Sequence, residues 1–91
     1  MIIASYDISD TKLRSEFAKL LLKYGFRLQY SVYQIRNSKR ILSLVSSEIK
    51  NNFGKRFSQT DSVLIFELSE TCKIMRFGYA KNDEKDLIIV D

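Results

Sequence analysis

Asp7 closes the first apolar run of the chain, Met1 to Ile8, three residues before the helix-start signal Asp10-Thr11-Lys12. An acidic side chain at the carboxyl end of a first strand faces a place where a ligand or metal can sit, and its oxygens suit Mg²⁺ or Mn²⁺. The sequence contains no histidine. That excludes Ser-His and Cys-His nucleophile pairs, His-zinc centres and the paired-imidazole route of metal-free ribonucleases. Hydrolysis by this chain would rest on a carboxylate-held divalent cation that activates water. The single Cys72 has no imidazole to activate it and reads as a packing residue.

A second group of polar side chains lies in Gly25-Phe26-Arg27-Leu28-Gln29-Tyr30-Ser31-Val32-Tyr33, where apolar and polar residues alternate. Arg27 shares a predicted strand face with Gln29, Ser31 and Tyr33, all hydrogen-bonding groups, and this favours contact with a phosphate backbone. Charge points the same way. Residues 26–60 hold Arg27, Arg36, Lys39, Arg40, Lys50, Lys55 and Arg56 against Glu48 alone, a net +6 within a chain whose total is +4. A phosphate-bearing partner is the natural reading of that asymmetry; the plain alternative is a solvated lysine-rich face.

The elements that must position these residues are legible from hydrophobic period. Ile2 to Ile8 reads as a strand. Asp10 is placed to cap a helix whose Leu13, Phe17, Leu20, Leu21 and Tyr24 form one stripe, with Gly25 as a left-handed stop. In residues 26–36 the spacing puts Phe26, Leu28, Tyr30 and Val32 on the core face. A bulge or tight bend near Ser31 is expected to divide a run that long. Asn37 or Ser38 begins a second helix with Ile41, Leu42, Val45, Ile49 and Phe53 inward, ended by Gly54. Asp61 to Leu68 is a strong strand, Lys73 to Tyr79 a further one, and Leu87 to Val90 a short last one after a polar linker. The order predicts an α+β, ferredoxin-like βαββαβ domain with an extra C-terminal strand, its helices on one sheet face and the other face bare. A bare face on so small a domain predicts a homodimer.

The segments Ile3-Ala4-Ser5-Tyr6-Asp7-Ile8-Ser9-Asp10, Arg14 and Tyr24 to Tyr33 resemble the CRISPR-associated protein two (Cas-two) family, the small proteins of the CRISPR spacer-acquisition machinery. Asp61-Ser62-Val63 and the helix-breaking stretch before Lys73 are similar as well. The resemblance spans essentially the whole chain. It implies a homodimer in which Asp7 meets its mate across the two-fold axis, binds Mg²⁺ or Mn²⁺ and supports endonuclease cleavage of RNA or of duplex DNA. It also implies a role in which the dimer lies along captured duplex DNA and bridges dimers of the CRISPR integrase (Cas-one). On that reading Arg14, Arg27, Lys39 and Arg40 serve the DNA backbone, and Leu87, Ile88, Ile89 and Val90 help dock the integrase. Tyr33 stands where the family usually has phenylalanine, and Gln34 where an acidic residue often follows.

Two alternatives belong to other classes: a stand-alone endoribonuclease of the virulence-associated D toxin type, and a non-catalytic ferredoxin-like interaction module. The 91 residues make a single domain, 1–91, with residues 80–91 as linker and docking strand. No apolar run approaches the length of a membrane span, no leader pattern is visible, and one cysteine permits no internal disulfide. A cytoplasmic protein without membrane attachment is the expectation.

Overall fold

The computed structural model describes residues 1–78. β1 (Ile2–Asp7) leads through residues 8–10 into α1 (Thr11–Tyr24), whose first turn is capped by the Asp10 carboxylate accepting from the Leu13 amide at 2.8 Å. β2 (Gly25–Gln29) and β3 (Val32–Ile35) form a hairpin. α2 (Lys39–Glu48) is capped by Ser38, accepting from Ile41 N–H at 3.2 Å. It continues through a wider π turn (Ile49–Phe53) and a 3₁₀ turn (Gly54–Arg56), and β4 (Ser62–Glu67) completes the sheet. The strand order is β2-β3-β1-β4, antiparallel at every pairing, which is the expected α+β arrangement with two helices on one face.

The core lies between that face and the helices. Ile2, Ala4 and Tyr6 of β1 alternate into it, followed by Ile8, and Tyr33 and Ile35 join them from β3. The stripes Leu13, Phe17, Leu20, Leu21 and Ile41, Val45, Phe53 close it from the helices. Phe17 is edge-on to both Tyr6 and Phe53, at 5.0 and 5.1 Å between ring centroids, so one aromatic chain ties α1 to the sheet and to the end of the second helical run.

Four expectations are corrected. Gly25 is not a left-handed helix stop: its backbone is extended (φ −172°, ψ −151°) and it opens β2. Glycine is needed there because a Cβ would come within 1.9 Å of the Gln34 carbonyl oxygen. Gly54 does not end the helical run either; its φ of −56° and ψ of −33° carry the chain onward, and extended backbone returns at Phe57. The division near Ser31 is present, as a turn in which Ser31 takes φ 69°, but a register shift between Arg27 and Gln29 accompanies it. Together they invert the faces. Tyr33, expected outside, is 1% exposed in the core, and Tyr30, expected inside, is 72% exposed. Residues 73–78 form no strand; Tyr79 and the Leu87 to Val90 segment lie outside the described residues.

Candidate functional site

Asp7 ends β1 on the sheet face away from the helices, opposite Ser62 of β4. Alternation fixes its neighbours. Ile3 and Ser5 share its face on β1, with Val32 and Gln34 beside them on β3, Leu64 and Phe66 on β4, and Phe26 opposite Gln34 on β2. Leu64 is 57% and Phe66 43% exposed. The carboxylate of Asp7 is exposed, and among the described residues no hydrogen bond or salt bridge engages it. Tyr6, one residue earlier, points into the core, where burial and then the neighbouring Tyr33 raise its phenol well above the ordinary range. It stays protonated and is no base.

The backbone just beyond Asp7 is held from two sides. One nitrogen of the Arg14 guanidinium (Nη1) donates to the carbonyls of Ile8 (2.9 Å) and Ser9 (3.3 Å), and the other (Nη2) to the Thr11 hydroxyl (3.4 Å). From the other side, Asp61 Oδ1 accepts from the Ser9 amide at 3.0 Å and the Ser9 hydroxyl at 3.1 Å, while Oδ2 accepts from the Ser58 amide at 2.8 Å. The Ser9 and Ser58 amide bonds hold the Asp61 carboxyl below its ordinary pKa.

Arg27 and Arg14 line a pocket of about 200 Å³ between α1 and the β2–β3 hairpin, with Tyr6, Tyr30, Tyr33, Thr11 and Ser15. This pocket lies on the helix side of the sheet, whereas Asp7 lies on the bare side. Ser31 sits in the hairpin turn, where its carbonyl accepts the Tyr6 amide at 3.1 Å. Tyr33 is buried and offers no surface for a nucleic-acid backbone. Lys39 and Arg40 are exposed in the first turn of α2, and that helix follows β3 at the Ile2–Ile35 end of the sheet. Five strand steps, roughly 17 Å, separate that end from Asp7. The basic middle third is thus divided between two ends of the domain. Sequence reasoning missed the grip of Asp61 on Ser9, for which no local pattern exists across 52 residues.

Among the described residues no group of three or more carboxylate, thiol or imidazole side chains converges to hold a metal ion. Asp7 supplies a hard oxygen donor of the right kind, but within one chain it is alone. No helix among the described residues is long and apolar enough to cross a membrane.

A family model described as CRISPR associated protein Cas2 matches residues 1–76, which include both helices and all four strands. The chain belongs to the Cas2 family. It is 30% identical over 90 residues to the "CRISPR-associated endoribonuclease Cas2 2" of Methanospirillum hungatei JF-1, covering 97% of each chain. It is 31% identical over 83 residues to the "CRISPR-associated endoribonuclease Cas2 4" of Rhodospirillum rubrum, covering 91% of this chain and 64% of the relative. A solved structure described as that of cas2 superposes with a TM-score of 0.73 at 27% identity, covering 97% of this chain and 95% of the other. The hypothetical protein TT1823 of Thermus thermophilus shares the fold, with a TM-score of 0.71 at 24% identity over 88% of this chain and 92% of its own. Asp7, Arg14, Arg27, Ser31, Tyr33, Lys39 and Arg40 all fall within the span matched by the Cas2 model; Leu87 to Val90 fall beyond it.

Proposed function

We propose that this chain is a metal-dependent endoribonuclease or endonuclease of CRISPR adaptation, built as a homodimer through the bare sheet face. The observation that carries the reading is the placement of an exposed, unengaged carboxylate on an otherwise largely apolar face. Leu64, Phe66 and Phe26 need cover from water. A second copy, related by a two-fold axis, gives that cover and brings a second Asp7 toward the first. Two carboxylates, with water and substrate phosphate, fit a weakly held Mg²⁺ or Mn²⁺. Such an ion, when bound, activates water and polarises a phosphoryl oxygen. The chain's own part is to present Asp7 at a fixed position on the dimer axis and to exclude water around it with the apolar rows.

Arg27 on the helix side and Lys39 and Arg40 at the far end of the sheet are proposed to meet phosphates of duplex DNA. Their separation suits an extended backbone better than a compact ligand. In this role the dimer bridges the CRISPR integrase, with Leu87 to Val90 as the docking segment. The names of the two endoribonuclease relatives support the hydrolytic half of the reading.

The test is cleavage of single-stranded RNA and duplex DNA with Mg²⁺, with Mn²⁺ and with chelator. Asp7→Ala is expected to abolish cleavage and to leave the circular dichroism spectrum and melting temperature in place. Cleavage that persists in chelator or in purified Asp7→Ala would overturn the site.

A further inference from the structure

We propose that Arg14 and Asp61 are paired positioning residues that set the Asp7 carboxylate by gripping the Ile8-Ser9 backbone from opposite sides. This rests on the reading of Asp7 as a metal-holding carboxylate. Arg14 reaches the Ile8 carbonyl at 2.9 Å and the Ser9 carbonyl at 3.3 Å, and Asp61 takes the Ser9 amide at 3.0 Å. A cation on the carbonyls and an anion on the N–H of one short stretch polarise it in the same sense, so each bond strengthens the other. The side chain of Ile8, 2% exposed, anchors the same stretch in the core. Asp61 also precedes Ser62, the residue paired with Asp7 across β1 and β4. The strand end bearing Asp7 is therefore tied to α1, to the loop at Ser58 and to the start of β4.

Rigid support of this kind matters where one carboxylate per chain must hold a cation. Partners that orient a metal ligand typically account for about ten- to a hundredfold in affinity or activity. The same geometry assigns Arg14 a different task from the phosphate contact implied by the family resemblance, because much of its guanidinium is committed to main-chain carbonyls and to Thr11.

The experiment uses Arg14→Lys, Asp61→Asn and the double variant of the full chain. Lysine has one nitrogen where Arg14 uses two, Nη1 on the carbonyls and Nη2 on Thr11, and asparagine has one acceptor oxygen where the two amides need two. Amide hydrogen exchange by NMR, without metal or nucleic acid, is the first readout. Arg14→Lys should speed exchange at the Ser9 amide, a group that Arg14 does not touch, and the two substitutions should combine non-additively there. The second readout is Mn²⁺-induced line broadening around Asp7 in the absence of nucleic acid. Each single variant should weaken Mn²⁺ binding by about tenfold, with melting temperatures close to the parent. Unchanged Ser9 exchange in Arg14→Lys, together with weaker RNA or DNA binding and a shallower salt dependence, would overturn the proposal and return Arg14 to phosphate contact. If the parent shows no Asp7-dependent broadening, the metal reading fails, and the exchange data still decide whether Arg14 and Asp61 act as a unit.

Discussion

The two faces of the central strand teach different lessons from the same six residues. On one face Ile2, Ala4 and Tyr6 are covered by helices and meet Phe17 and Tyr33, so every group finds its partner within the chain. On the other, Ile3, Ser5 and Asp7 lie among exposed Leu64 and Phe66. Buried side chains there are few, and the charged one ends the row. The covered face explains why the domain folds. The bare face is intelligible only with something laid upon it, and the carboxylate amid its apolar rows is where the proposed chemistry would take place.

That contrast is easiest to break from the covered side. Phe17 is fully buried between Tyr6 and Phe53, so Phe17→Ala should cost about 3–5 kcal/mol of stability by urea unfolding. The bare face should respond in another currency. Phe66→Glu ought to leave the fold and its melting curve nearly intact while raising the dissociation constant of the proposed dimer roughly a hundredfold. Sedimentation velocity would read the change, and an unaltered monomer–dimer balance would show that this face is not the one covered. A smaller effect is expected far from both faces. Replacing Lys39 and Arg40 together by alanine should lower the slope of log affinity against log salt for duplex DNA by about 2. The smallest effect belongs to the edge between the faces. Because the Ser9 and Ser58 amides lower its pKa in the folded state, Asp61 contributes stability that is present above the unfolded carboxylate pKa and lost only as pH falls through the folded one. Carbon-detected NMR should place its midpoint below that of ordinary carboxylates, with the Ser9 amide shift following the same curve.

Much of this was legible in the residues alone. The helix stripe of α1, the Asp10 cap, β4 and the position of Asp7 at a strand end follow from local period and capping chemistry, and all are present. The Ser31 division was legible too, because an eleven-residue run is long for one strand. Which side of the hairpin faces the core was not. Alternation pairs Arg27 with Tyr33 correctly, but a bulge and a turn with positive φ reset the phase, and only packing against α1 decides that Tyr33 goes in and Tyr30 out. Asp61 grips Ser9, a contact set by tertiary approach and invisible to spacing. The basic middle third looked like one patch because charge was counted along the chain, whereas the antiparallel return of β3 sends Lys39 and Arg40 to the other end of the sheet.

The junction of α1 and β2 has a practical consequence for anyone who wishes to modify this protein. Helix passes to strand with no intervening loop, Gly25 lies flush against the Gln34 backbone, and the Tyr24 carbonyl accepts the Arg36 amide at 2.8 Å. A peptide tag or split-protein break inserted between Tyr24 and Gly25 would have to lift an edge strand off its neighbour before it found room. That corner is a poor site for grafting, and a label there would report on its own damage.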